Sequence, residues 1–148
     1  KIINCVLSAT LIQQWQPGSP LFNFCVDLIR MNTMSGEYYL AGIIWGQGES
    51  NAVKGITYLY ADLMLNTLNG FRYALGDVRI VVPQIGVIEE GRAKAEDWEL
   101  IQAAQIDAVA QLDDAFIFNT DSFAVLSDWV HNDPTTQWRI GEMIAEYF

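Results

Sequence analysis

The chain has 148 residues, 51% of them hydrophobic, and a formal net charge of −10. That length makes one ordinary domain with a sizeable core, neither disordered nor low in complexity. The acidic balance argues against nucleic acid or an anionic membrane as partner, because both need basic surface. No apolar stretch approaches the ~20 residues of a membrane helix.

Cys5 and Cys25 are too few for a disulfide framework and are expected as buried thiols, one in a strand and one in a helix. With a single histidine, and no second ligand spaced suitably near either cysteine, no metal site is expected. The sequence shows no signal peptide and leaves the compartment open.

Residues 2–7 (Ile-Ile-Asn-Cys-Val-Leu) read as a first buried strand. A strand beginning so early suggests that something precedes it. The Pro/Gly punctuation of Gln13 to Pro20 marks a loop. Apolar residues at Leu21, Phe24, Cys25, Leu28, Ile29 and Met31 predict an amphipathic helix from Leu21 to about Met34, stopped near Ser35-Gly36. Residues 39–45 form the second strand, apolar on both faces as in a covered parallel sheet. It ends in the polar turn Gly46-Gln47-Gly48-Glu49-Ser50-Asn51.

Ile56, Leu59, Tyr60, Leu63, Met64 and Leu68 share one face of a helix predicted from Val53 to Leu68 and closed by Asn69-Gly70. Residues 78–82 are a third strand, and 84–92 a glycine-punctuated loop. A helix follows from Lys94 to Leu112 with Trp98, Ile101, Ala108 and Leu112 inward, and then a fourth strand, 115–119. The polar loop 120–133 holds the single histidine. Pro134 opens a last helix running to Phe148, with Trp138, Ile140, Met143, Ile144 and Tyr147 apolar and Asp133 as its cap. Strands alternating with helices imply an α/β fold, a single domain over residues 1–148 with a parallel sheet covered on both faces. Four strands are few for such a sheet, and a further strand ahead of residue 1 would complete it.

Polar groups where a buried strand gives way to a helix sit at the rim where α/β sheets bind ligands. Gln47 carries an amide there, suited to an oxyanion hole or to bracing the turn. Glu49 is a second acid or a solvated carboxylate. Gly48-Glu49-Ser50-Asn51-Ala52 has part of the G-x-S-x-G nucleophile elbow, with Ser50 as nucleophile; alternatively Ser50 or Asn51 caps the helix that follows. His131, three residues after Asp128, suits a general base whose tautomer the carboxylate fixes, or is an ordinary histidine. Trp15, Trp45 and Trp98 are packing residues, with sugar stacking an option for Trp15.

Trp45-x-Gln47-Gly48-Glu49-Ser50 together with Asp128-x-x-His131 resembles the SGNH (GDSL-like) hydrolases. The closest branch is that of the sialate O-acetylesterases and carbohydrate acetylesterases. Two further segments agree with it: Ser8-Ala9-Thr10-Leu11-Ile12-Gln13-Gln14-Trp15 with its G-G-T-x-I-x-x-W stretch, and Ile101-Gln102-Ala103-Ala104-Gln105 with its R-x-A-Q helix. The resemblance implies a flavodoxin-like three-layer sandwich and a cofactor-free, metal-free esterase acting on an acetylated carbohydrate. By position, His131 would be the general base and Asp128 its orienting acid. Gln47 and the backbone amide of Ser8 would be oxyanion donors, with Glu49 in support. Ser8 replaces the family's glycine. The family's nucleophilic serine lies in a G-Q-S-N block that these residues do not contain. It would come from an upstream segment or a companion chain; an inactive carbohydrate-binding or structural module is the alternative.

Overall fold

The computed structural model describes residues 1–86, 94–123 and 133–148. After a 3-10 turn at Ile12–Trp15 the order is α1 (Pro20–Thr33), β1 (Gly42–Ile44), α2 (Glu49–Val53), α3 (Tyr60–Leu75), β2 (Arg79–Pro83), α4 (Ala95–Val109), β3 (Ala115–Phe118) and α5 (Pro134–Ala145). The three strands form one parallel sheet in the order β1-β2-β3. The fold is α/β, as the alternation of elements predicts.

Register explains which residues face the core. Ile43 pairs with Ile80, and Ile80 with Ala115, so these side chains share one face. They pack against the main core, where Ile12, Met64, Leu68 and Ile101 are fully buried. Ile44, Val81 and Phe116 are in register on the other face. There the C-terminal segment closes over the sheet: Tyr147 lies 5.0 Å from the Phe116 ring and stacks on Phe118 at 6.2 Å.

Helix ends follow their local chemistry. Ser19 accepts from Phe22 N–H with Pro20 at the first position of α1, and Asp133 accepts from Thr135 and Thr136 N–H ahead of Pro134.

The structure corrects four sequence expectations. Residues 2–7 join no ladder. The side chain of Asn4 takes the Val6 N–H at 3.2 Å, and Ile2 and Val6 are more than three-quarters exposed, so neither hydrogen bonds nor burial favour a strand. The sheet accordingly has three strands among the described residues. Cys5 and Cys25 are a disulfide, not two thiols, with their Cα atoms 5.5 Å apart, inside the range a disulfide spans.

The helix expected from Val53 is broken. Gly55 and Leu59 both take positive φ, near 60°, which ends α2 and delays α3 until Tyr60. Asn69-Gly70 does not close α3, which runs on to Leu75. Gly70 sits mid-helix because a Cβ there would meet Pro17 Cγ at 2.5 Å and the Phe22 ring at 3.2 Å, so the residue marks close packing rather than a cap. In α5, Trp138 is 73% exposed and donates its indole N–H to Glu142.

Candidate active site

β1 delivers the polar turn to the C-terminal edge of the sheet. Trp45 N–H still bonds Val81 O at 2.9 Å, extending the ladder one residue, and Gln47 follows, 8% exposed. Gly48 then turns the chain into α2. A Cβ on Gly48 would stand 2.8 Å from Ile85 Cγ2 and 2.9 Å from Ile101 Cγ2, so a side chain cannot fit between β2's end and α4. Gly48, with no side-chain bond, is the residue before the helix; Ser50 and Asn51 lie inside α2 and cap nothing.

Gln47 is enclosed by hydrogen bonds. Its Nε2 donates to Thr10 O at 3.1 Å and to Asn51 Oδ1 at 2.9 Å. The Tyr60 hydroxyl lies 2.9 Å from its Oε1 and 2.6 Å from its backbone O. Gln105 Nε2 donates to the same backbone O at 2.9 Å, while Gln105 Oε1 accepts Ile85 N–H at 3.0 Å. Asn51, Tyr60 and Gln105 are essentially inaccessible to water. Unsatisfied polar groups at such depth would cost about 1–3 kcal/mol each, so this network holds its members firmly.

The Ser8 turn is joined to the same network. Ser8 itself is exposed and Ala9 adopts a left-handed φ of 60°. Thr10 pins the turn by donating Oγ1 to Leu7 O at 2.9 Å and accepting Trp15 Nε1 at 2.9 Å, while its carbonyl receives Gln47. Asn51 Oδ1 also accepts Ile12 N–H at 2.9 Å. The two stretches singled out in the sequence, 8–15 and 45–51, are thus bonded to each other through Gln47 and Asn51.

Trp15 is a buried core ring, 7% exposed and edge-on to Trp45 at 5.8 Å. Glu49 is half-buried. Burial, and secondly the charge of Glu49, drive the Tyr60 pKa far up. Tyr60 therefore remains a neutral hydroxyl, able to donate, at every working pH. Trp45 Nε1 is buried with no hydrogen-bond partner among the described residues. Ser50 is half-buried in the first turn of α2, and its hydroxyl bonds no described residue. Asp128 and His131 lie outside the described residues.

At the ends of β2 and β3 a second set of amides braces the edge: Gln102 Nε2 donates to Ile85 O and Asp121 Oδ1, and Gln84 to Gln102 O. Tyr60 was not legible as a member of the site, and Asn51, visible in the polar turn, was legible only as a helix cap. Gln105 had a signal: it interrupts the apolar positions Trp98, Ile101 and Ala108 on α4, and a polar residue on a buried face needs a polar partner. Among the described residues, no cluster of histidine, cysteine or carboxylates is arranged to hold a metal.

The family model for carbohydrate esterase, sialic acid-specific acetylesterase, matches residues 1–148. The chain belongs to this family. A protein from Arabidopsis thaliana superposes with a TM-score of 0.79 at 20% identity, over 93% of this chain and 56% of that one. A carbohydrate acetylesterase from Xanthomonas citri gives 0.74 at 19% identity, over 94% of this chain and 33% of that one. At such identities the likeness is one of fold, and the chain spans only about half and a third of those proteins' lengths. No curated protein sequence matches.

Proposed function

We propose that these residues are most of an SGNH-type esterase domain that removes O-acetyl groups from a sugar or polysaccharide. Family membership supports ester hydrolysis. The observation that carries the finer reading is Gln47: an amide at the end of β1, buried, rigidly held, and hydrogen-bonded to the turn that carries Ser8. An oxyanion hole needs donors fixed before charge develops, because no reorganisation is then needed in the transition state.

In this mechanism a serine hydroxyl attacks the acetyl carbonyl and His131 takes its proton, oriented by Asp128. The oxyanion is met by Gln47 Nε2 and the backbone N–H of Ser8, with Glu49 supporting. The sugar hydroxyl leaves with a proton returned from His131, and water then hydrolyses the acyl-serine by the same route. Gln47 would exchange its longer bond, to Thr10 O, for the oxyanion, since a charged acceptor outcompetes a neutral carbonyl. The serine comes from a G-Q-S-N block outside these 148 residues, on an upstream segment or a companion chain that completes the sheet. Trp15 serves the core in this reading, not the sugar.

Fluorophosphonate labelling of the full-length protein separates the candidate nucleophiles. Labelling that persists in Ser50→Ala and disappears when the serine of an upstream block is replaced supports the proposal. Loss of labelling in Ser50→Ala would transfer the nucleophile to Ser50. Glycan binding with no labelling and no turnover would instead make the domain a binding module.

A further inference from the structure

A carboxamide has a donor end and an acceptor end of nearly the same shape, so a glutamine serves as a donor only if its surroundings choose the orientation. Around Gln47 they do so from both ends. Asn51 Oδ1 is committed as an acceptor by Ile12 N–H and faces Gln47 Nε2, as does the carbonyl of Thr10. Asn51 cannot turn to offer its own donor end, because its Nδ2 is held by Ile56 O at 2.9 Å. On the opposite side the single Tyr60 hydroxyl proton is shared between the Gln47 backbone O at 2.6 Å and Oε1 at 2.9 Å, a bifurcated donation that sets a donor against the Oε1 end. Gln105 donates to the backbone carbonyl of Gln47, which fixes the main chain from which the side chain extends. A flipped amide would set Oε1 against two acceptor oxygens with almost no water to relieve the repulsion.

We propose that Tyr60, acting with Asn51, is a positioning residue that locks the Gln47 carboxamide with its N–H groups toward the Ser8–Thr10 turn and so presets the oxyanion donor. This rests on the reading of Gln47 as that donor. Tyr60 touches no reacting atom; it acts through Gln47. Its neutrality at every working pH keeps the lock from titrating.

The test is a double-mutant cycle in the full-length protein, with 4-nitrophenyl acetate as substrate. Gln47→Ala should lower kcat about 10²–10³-fold, the range for one oxyanion donor. Tyr60→Phe keeps the ring and removes one hydroxyl; kcat should fall about tenfold with KM unchanged, a loss confined to the transition state. In the Gln47→Ala background Tyr60→Phe should cost no further turnover, because the group it orients is gone. An equal loss in both backgrounds would mean a general structural effect and overturn the proposal, as would wild-type kcat in Tyr60→Phe beside a crippled Gln47→Ala. Unchanged kcat in Gln47→Ala would instead remove the donor reading itself and the proposal with it. Should Tyr60→Phe fail to fold, exchange of the Gln47 side-chain amide protons in the wild type decides. Exchange well below that of the exposed amides supports the lock, and exchange at the exposed rate overturns it.

Discussion

The carboxamides of Gln47 and Asn51, four residues apart, meet at 2.9 Å with Gln47 Nε2 donating to Asn51 Oδ1. That bond spans the step from strand to helix, and it links the strand end to Ile12, which shares the Asn51 acceptor. A polar contact so deep inside an apolar domain restricts the geometry of the turn far more than it stabilises the fold. The strand end is built for position.

Close packing beneath this turn should make Gly48 intolerant of the smallest side chain. In Gly48→Ala the new Cβ meets Ile85, Ile101 and, at 3.2 Å, the Gln105 amide. Overpacking of this kind costs about 1–3 kcal/mol. Urea unfolding should show a lower midpoint, and turnover should fall with it because Gln105 holds the Gln47 carbonyl. A variant as stable as the wild type would mean that the packing is looser than these distances require.

The Cys5–Cys25 disulfide ties the irregular N-terminal segment to α1 across 20 residues of sequence. Closing a loop of that size in the unfolded chain is worth about 3 kcal/mol on the chain-entropy model. Cys5→Ser with Cys25→Ser should therefore melt several degrees lower, and thiol titration of the unreduced, denatured wild type should find no free thiol. Two titratable thiols would refute the pairing.

Asp133 gives the last helix a pH dependence. Its carboxylate accepts Thr136 Oγ1 at 2.8 Å and the backbone N–H groups of Thr136 and Thr135, which together hold its pKa below the usual 3.8. A depressed carboxylate contributes stability that is complete above its unfolded value and lost as pH falls through the folded one. The gap in melting temperature between wild type and Asp133→Ala should thus be full near neutrality and shrink below pH 3.8. A gap that stays constant in acid would show that the cap does not depend on the charged form.

The sequence conveyed the helices and strands wherever one periodicity ran unopposed: α1, α4, β2 and the cap of α5 lie close to where apolar spacing and capping residues put them. It misled where tertiary contacts override local signals. Residues 2–7 have the apolar run of a strand but no ladder to join. Gly70 has the look of a helix stop, yet it is a contact point for Pro17 and Phe22. Gln47 was visible because a polar residue ended an apolar run; Tyr60 was not, because a tyrosine on an apolar helix face gives no hint of where its hydroxyl points. The partnership of Asn51 with Ile12 spans 39 residues and exists only in the folded chain.

The catalytic assignment turns on a base. Acetate release from an O-acetylated sugar should be measured with the full-length protein and its His131→Ala variant, with folding checked by circular dichroism. A loss of several orders of magnitude in kcat at unchanged fold is the outcome expected of a serine esterase using His131. Turnover equal to the wild type would contradict it.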